Sequence, residues 1–544
     1  MRFRIDEVYE GENVPKRTRW IYQGVAAARD AAYTLVAMFL ITYIQYSGIL
    51  TRGLGPLEDK STAFIAMFGV ISALVIGYRV FDALNDPFMG VIIEKVHFKS
   101  GKYKPWIMIG GVTNSIVVLA LFLGPSIIPS LVGWGYVAWF AVFYLLWGIT
   151  FTMNDIAYWG MLPSLTSEEK QRTSITTMMS IFCSVGQFVV AGLSPVLSGT
   201  FGYEVYTTIA LIVGIALAVT QLVLYFFLVE HKRDIEEEKS HDTPKFKDMF
   251  TIIKKNDQVR IMTIVLFIYY LGSGILNTLG LNYFYFAVNF TVGSSIMTIF
   301  TVIYGLGVIL SQFLFPLLSS KLSRDKLLLI SIICCVVGYV AFFLYGLPLG
   351  DGKYIGPSPL VDGGMNILYV IPLCLVGLLI FFSQGLFYMT LLIMMTNTIE
   401  YNEYKFGERK EAVIFSLRPL TTKLASALQQ GVLYIFLIIA SLSTFITKIS
   451  DLQNQLTLGN MTDSQVGAAA DIVVSTCEPW QVLVFKLGVA ILPMVLFVVS
   501  YFLLKKYYFI DEKKYTEILE EIKTRKENNQ TTQKRNYSSW VILY

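Results

Sequence analysis

The sequence predicts an all-α membrane protein: twelve transmembrane helices in two six-helix halves, with both termini cytosolic. Composition is the first observation, since the 544 residues are 55% hydrophobic and only 15% charged, with a mean hydropathy of +0.58. The second is the recurrence of twelve apolar stretches of about 20 residues or more, a length that crosses a hydrocarbon core of about 30 Å at about 1.5 Å per residue. The third is the placement of Lys and Arg. Loops 94–104, 162–172, 230–260, 317–326 and 399–412 carry 20 of them, whereas loops 50–61, 125–133, 199–203, 289–291, 347–365 and 445–480 carry four. Positive charge is retained in the cytosol, so the first set of loops and both termini are placed there.

In chain order, a polar cytosolic segment over 1–21 comes first. It lacks a short apolar core followed by a small-residue cleavage site, so the first helix is expected to remain uncleaved. The N-terminal half follows over 22–229, with spans near 22–49, 62–93, 105–124, 134–163, 173–198 and 204–229. Several exceed the minimum length, and tilt or projection beyond the bilayer absorbs the excess. The charged run EHKRDIEEEKSHDTPKFKDMF lies in a central cytosolic linker, 230–258. The C-terminal half occupies 259–506, with spans near 259–288, 292–316, 326–346, 366–398, 412–444 and 481–506. In the tail, 507–544, Tyr515, Ile518, Leu519 and Ile522 recur at helical spacing among charges and predict an amphipathic helix. A repeat supports the division into halves: Asn154-Asp-Ile-Ala-Tyr158 ends the fourth span and Asn397-Thr-Ile-Glu-Tyr401 ends the tenth.

Several function classes are disfavoured. The net charge of +4 reports loop asymmetry and carries no nucleic-acid footprint. His97, His231 and His241 all fall in loops, so no histidine metal centre or proton relay is expected in the membrane. Four of the five cysteines, Cys183, Cys334, Cys335 and Cys374, lie in helices, and the spacing gives no disulfide framework. An enzyme is not expected, because there is no intramembrane His/Glu metal pair and no Ser/His arrangement.

What remains is a set of charges inside the apolar spans. Asp30, Asp82, Asp86 and Asp155 each cost about 2.5 to 3.5 kcal/mol at a helix centre, and the usual reason to retain them is an ion or substrate pathway. Asp82 and Asp86 are i and i+4, so they project from one face about one turn apart, able to share a cation. Thr152, Asp155 and Trp159 share a face of the fourth span. A hard cation takes oxygen ligands of this kind, while carboxylates that accept from vicinal hydroxyls beside an aromatic face suit a sugar. Counted from the predicted span ends, Asp30, Asp82, Asp86, Asp155 and Lys423 all lie roughly 12 to 17 Å deep, near the midplane. The alternative is a set of interhelical ion pairs in which Arg29, Arg79, Arg418 and Lys423 balance the four aspartates.

At these residues the chain resembles a known family. Arg79-Val-Phe-Asp82-Ala-Leu-Asn-Asp86-Pro-Phe-Met-Gly90, Gly101-Lys-Tyr-Lys-Pro-Trp106, Asn154-Asp-Ile-Ala-Tyr-Trp159 with Leu162-Pro163, and Glu400-Tyr-Asn-Glu-Tyr-Lys405 are similar to motifs of the melibiose-permease-like glycoside-pentoside-hexuronide:cation symporters. The resemblance implies a major facilitator fold, alternating access and symport of a glycoside with a cation. It places Asp82, Asp86, Thr152 and Asp155 at the cation site, with Na⁺ expected ahead of H⁺ or Li⁺. It places Asp30, Arg29, Asp155, Trp159, Tyr388, Arg418 and Lys423 about the sugar. Three positions depart from the family. Its sugar-contacting arginine on helix five falls at Ser180, Arg418 stands in place of a glutamine, and Tyr388 in place of a tryptophan. Arg418 is expected either to receive an anionic or differently hydroxylated glycoside or to pair with Asp30 or Asp155. Glu400, Glu403, Lys405 and Arg409 suggest cytosolic ion pairs that hold an outward-facing state.

The expected partners are a small-molecule glycoside, the coupling cation and membrane lipid, without nucleic acid or cofactor. The expected functional unit is a monomer in the plasma membrane. The competing expectations are an H⁺-coupled sugar transporter, or a transporter of the same fold for a lysolipid or organic anion.

Overall fold

The computed structural model describes residues 8–9, 13–96, 98, 100–166, 168–231, 246–350, 353–408 and 410–525. Most of the charged linker, the end of the tail, His97, His241 and Arg409 lie outside them.

Among the described residues, twelve helices are long and apolar enough to cross a membrane. In the first half they are α1 (Lys16–Tyr46), α2 (Leu57–Lys95), α3 (Lys104–Ile127), α4 (Trp134–Leu165), α5 (Glu169–Phe201) and α6 (Val205–Phe227). In the second they are α7 (Asp257–Ala287), α8 (Phe290–Ser319), α9 (Arg324–Leu344), α10 (Ile367–Phe406), α11 (Glu411–Ile439) and α12 (Pro479–Tyr507). The polar starts and stops are local. Pro15 and Pro56 precede α1 and α2, where a missing N–H costs nothing. Asn256, Asn289 and Asn366 cap α7, α8 and α10 by accepting first-turn N–H bonds. Gly407, at φ 75°, ends α10 in the left-handed conformation that glycine adopts without strain. Two spans carry a π-helical turn, Leu35–Phe39 in α1 and Leu487–Ile491 in α12.

The two halves pack by the same rule. In the first, α1 lies against α5 and α6, α3 against α4 and α6, and α2 against α4; in the second, α7 lies against α11 and α12, α9 against α10 and α12, and α8 against α10. Between halves, α2 meets α11 and α5 meets α8. The short sequence repeat belongs to this symmetry. Asn154 donates from α4 to the Ile107 carbonyl at the start of α3, and Asn397 on α10 accepts from Arg324 at the start of α9. Close crossings fall at glycine, as membrane helices require when packing replaces the hydrophobic effect. A Cβ on Gly110 would sit 2.7 Å from the Asn154 nitrogen, and one on Gly186 would meet the Ala27 carbonyl.

Since the spans alternate, the start of α1 and the end of α12 lie at one end of the bundle, the terminal end. The far end is closed. Tyr46, Tyr203, Tyr285 and Phe290 form an aromatic cluster across the halves, tied by Tyr203 to Tyr285 at 2.9 Å and Tyr46 to Asn282 at 2.5 Å. Over it lie two helices between α11 and α12, Ser443–Thr457 and Asp463–Ser475, where the sequence reading expected only a loop. The first reaches the other half: Lys60 pairs with Asp451 at 2.8 Å, Arg52 donates to Asn454 at 2.9 Å, and Ser450 donates to the Gln45 carbonyl at 2.9 Å. Burial pushes the nearby Cys477 thiol up to about 12.

At the terminal end, Val8–Tyr9 pairs in parallel with Glu230–His231. Glu230 accepts from the Lys104 backbone in the Gly101–Trp106 motif, and burial raises its carboxyl against the pull of that lysine. The expected tail helix is present over 512–525, burying Ile518 and Ile522 against Tyr401 of α10, while Leu519 stays exposed. Lys405 does not bridge the halves in the described contacts; it pairs with Asp257 of its own half at 2.6 Å.

Candidate functional site

A cavity of about 790 Å³ lies between the halves, lined by α1, α2, α4 and α5 on one side and α7, α8, α10 and α11 on the other. Its walls hold Arg29, Asp30, Asp82, Asp86, Thr152, Asp155, Trp159, Tyr388, Arg418 and Lys423, each a candidate from the sequence. All four carboxylates come from the first half. The second half contributes Lys423, Arg418 and most of the phenols.

Six of the seven charges sort into two groups of three, and Arg418 stands apart. In the first, the Lys423 ammonium lies 3.0 Å from Asp82 and 2.6 Å from Asp86, crossing from α11 to α2. The Thr152 hydroxyl, from α4, lies 2.9 Å from Asp82 Oδ1 and 3.2 Å from Asp86 Oδ1. Helical spacing on α2 thus did what the i, i+4 pattern implied, and the three oxygen-bearing residues converge. Asp155, expected among the same cation ligands, turns instead to the second group.

There the buried Arg29 guanidinium bridges Asp30 and Asp155, at 3.0 Å each. It also lies 4.4 Å from the centre of the Tyr158 ring and 5.8 Å from that of Trp159. Asp30 also accepts from Gln187, whose amide donates to Oδ1 at 2.9 Å. Each group holds two carboxylates on one fixed cation, so with all of them ionised each carries one negative charge in excess.

Arg418 departs from one of its two expectations. Among the described residues it makes no ion pair with Asp30 or Asp155, because Arg29 already occupies both. Instead its Nε donates to the Tyr270 hydroxyl at 3.2 Å, and the guanidinium lies 5.6 Å from the Tyr388 ring centre. Tyr270 and Tyr388 are themselves joined at 3.0 Å. A guanidinium without a carboxylate therefore faces the cavity opposite the acidic half. Arg79 does not reach the cavity wall; it is buried with its guanidinium 5.3 Å from the Trp147 ring centre.

Ser180 also lies away from the site, donating to the Thr176 carbonyl of its own helix at 2.9 Å. The contact that α5 supplies comes two turns later, from Gln187. Sequence reasoning missed it, together with Tyr33, Tyr270, Tyr304 and Gln384. The available signal was a lone amide in the apolar run Phe182–Val190.

A family model described as MFS/sugar transport protein matches residues 26–512. The chain is 25% identical over 512 residues to the raffinose carrier protein of Pediococcus pentosaceus, across 93% of this chain and 71% of the relative. It is 22% identical over 508 residues to the glucuronide carrier protein homolog of Escherichia coli (strain K12), across 92% and 94%. Among solved structures it is similar to an inward-facing, unoccupied bacterial homolog of the human lysosomal transporter Spinster, with a TM-score of 0.52 at 13% identity over 91% of this chain and 98% of that one. A D-xylose-proton symporter gives the same TM-score at 13% identity, over 85% and 98%. At these identities the likeness is one of fold.

Proposed function

For a chain that belongs to the MFS/sugar transport protein family, an integral multi-pass membrane transporter and not an enzyme, we propose cation-coupled symport of a glycoside by alternating access. The observation that carries the reading is the pairing of two net-negative groups in one cavity. Lys423 with Asp82, Asp86 and Thr152 offers hard oxygen donors and one excess negative charge, which suits a monovalent cation such as Na⁺. Arg29 with Asp30, Asp155 and the Trp159 ring offers acceptors, donors and an aromatic face, which suits a sugar. Asp155 stands one turn from Thr152, so a cation that reorders α4 around Thr152 alters the sugar group, and linkage makes the effect reciprocal.

The moving bodies in this reading are 22–229 and 259–506, with 1–21, 230–258 and 507–544 on the cytosolic side and the sealed far end outside. Arg418 favours a finer reading, a glycoside bearing a carboxylate or another acceptor-rich group; an organic anion without sugar is the competitor. Uptake of labelled neutral and carboxylated glycosides into proteoliposomes, under imposed Na⁺ or pH gradients, tests both. An inward Na⁺ gradient is expected to drive accumulation, and Asp86→Asn to abolish the drive. Accumulation indifferent to every cation gradient overturns the coupling, and uptake of organic anions that no glycoside inhibits overturns the sugar.

A further inference from the structure

A second space, of about 520 Å³, opens at the terminal end of the bundle, where the start of α9 meets the end of α12 and the tail. That volume falls within the range of about 300 to 1,000 Å³ typical of ligand sites. The buried side chains of Leu328, Met394 and Leu504 line its inner part, and exposed charges line its mouth.

Both helices change character at this point. Along α9, Arg324-Asp325-Lys326 gives way to an apolar run from Leu327, and along α12 the apolar run ends at Leu504, before Lys505-Lys506. A span switches from apolar to charged where the hydrocarbon ends and the headgroups begin. On the apolar side of the switch, Leu329 and Ile333 of α9 and Val499 and Phe502 of α12 are exposed. In a bilayer that surface meets acyl chains.

The charges at the mouth are balanced. Arg324, Lys505 and Lys513 line it together with Asp325, Asp511 and Glu512. Lys505 and Asp325 lie 3.1 Å apart, but both side chains are more than half exposed, so their pairing is weak and open to exchange. Lys513 makes no hydrogen bond or ion pair among the described residues. Glu512 accepts from the Arg324 backbone at 2.8 Å, which fixes the tail helix along one side of the opening. An anion alone would leave three carboxylates unmatched, and a cation alone three basic groups. A ligand with one charge of each sign suits both.

We infer that this space is a headgroup site for a zwitterionic phospholipid bearing a primary ammonium, in chemistry a phosphatidylethanolamine. Its phosphate lies toward Lys505 and Lys513, its ammonium toward Asp325 and Asp511, and its acyl chains run along α9 and α12. A primary ammonium brings three N–H donors to the carboxylates, whereas a trimethylammonium brings none. The site shares no residue with the cavity between the halves, so the lipid acts on the second half and its tail helix without touching the cation or sugar groups.

The test uses the purified full-length protein, freed of lipid in detergent, with bound ligand counted by native mass spectrometry. The probes are short-chain phosphatidylethanolamine, phosphatidylcholine and phosphatidylglycerol, and the water-soluble glycerophosphoethanolamine. Wild type is expected to hold phosphatidylethanolamine about fivefold or more tighter than the other two lipids, and about 100-fold or more tighter than the soluble headgroup, which lacks chains to bury. Lys505→Gln combined with Lys513→Gln should weaken phosphatidylethanolamine about tenfold or more for the lost charge-assisted bonds. Lys523→Gln, on the same tail helix but outside the space, should leave it within about twofold. Asp325→Asn combined with Asp511→Asn should erase the preference for ethanolamine over choline. Asparagine at 511 can still accept from the Lys514 backbone, as Asp511 does at 2.7 Å, so the tail helix keeps its cap. All these positions are exposed, and thermal unfolding of each variant confirms that it is folded. No preference among the three lipids, or equal losses in Lys523→Gln and the paired lysine variant, overturns the site. Soluble headgroup bound as tightly as the lipid overturns the membrane as its source.

Discussion

Lys423 occupies the oxygen atoms that a coupling cation would need, so replacing it with glutamine should tighten cation binding. The size follows from the distances. At separations of 2.6 and 3.0 Å and an effective dielectric of about 20, the ammonium is attracted to Asp86 and Asp82 by about 6.4 and 5.5 kcal/mol. Desolvation of the ammonium cancels much of that, and breaking a pair of this kind nets about 3 to 5 kcal/mol. A cation entering wild type must first displace the lysine. Relief of about 3 kcal/mol corresponds to an affinity gain on the order of 100-fold, at about 1.4 kcal/mol per tenfold. Lys423→Arg should act in the opposite direction, because a guanidinium fork holds two carboxylates better than a point charge. Titration of each purified variant with NaCl, read by tryptophan fluorescence and by thermal stability, gives the constants. Unchanged or weaker Na⁺ binding in a folded Lys423→Gln protein refutes the displacement argument and makes the lysine a support for the site.

Other expectations follow from the same geometry. Asp86→Asn should abolish Na⁺ stimulation while sparing much of sugar binding, and Asp30→Asn the reverse, since Asp30 faces Arg29 and Gln187; equal loss of both functions in both variants argues against separate roles. Arg418→Gln should reduce uptake of a carboxylated glycoside by about 10- to 100-fold, for a charge-assisted bond of about 1.5 to 3 kcal/mol, with the neutral counterpart little affected; parallel losses would assign Arg418 to structure. Asp451→Asn removes the partner of Lys60 at the far end, and a loss of about 1 kcal/mol should move the population about fivefold toward far-end opening, read by distance measurements between labels on the two halves. Cys477, whose thiol burial holds at about 12, should react with maleimide at neutral pH far more slowly than a free cysteine of pKa about 8.5, and labelling at the free-thiol rate would contradict its burial.

Much of this site could be read in the sequence because helix geometry alone fixes it. Asp82 and Asp86 share a face whatever the rest of the chain does, and so do Thr152, Asp155 and Trp159. Contacts across the halves were another matter. That Lys423 takes both α2 carboxylates, that Arg29 takes Asp30 with Asp155, and that Arg418 is thereby left to Tyr270 and Tyr388 depend on how α11 and α1 are rotated against α2 and α4. No spacing within one helix encodes that. Gln187 was passed over because one amide gives no periodic signal. The helices Ser443–Thr457 and Asp463–Ser475 were hidden for the opposite reason: they lack a long apolar run, so a search for spans reads them as loop.

Those two helices also bear on how the molecule is made. Their partners, Gln45, Arg52 and Lys60, emerge from the ribosome hundreds of residues before them, and local helix formation and packing of the first half cannot wait that long. The contacts Lys60–Asp451 and Arg52–Asn454 therefore form only after translation has passed residue 454, when eleven of the twelve spans have been synthesised. A chain stalled or cut before that point would carry every carboxylate of the cavity and the aromatic cluster that closes its far end, but not the helices that lie over that cluster and tie it to Gln45, Arg52 and Lys60, and it would be a ready substrate for quality control.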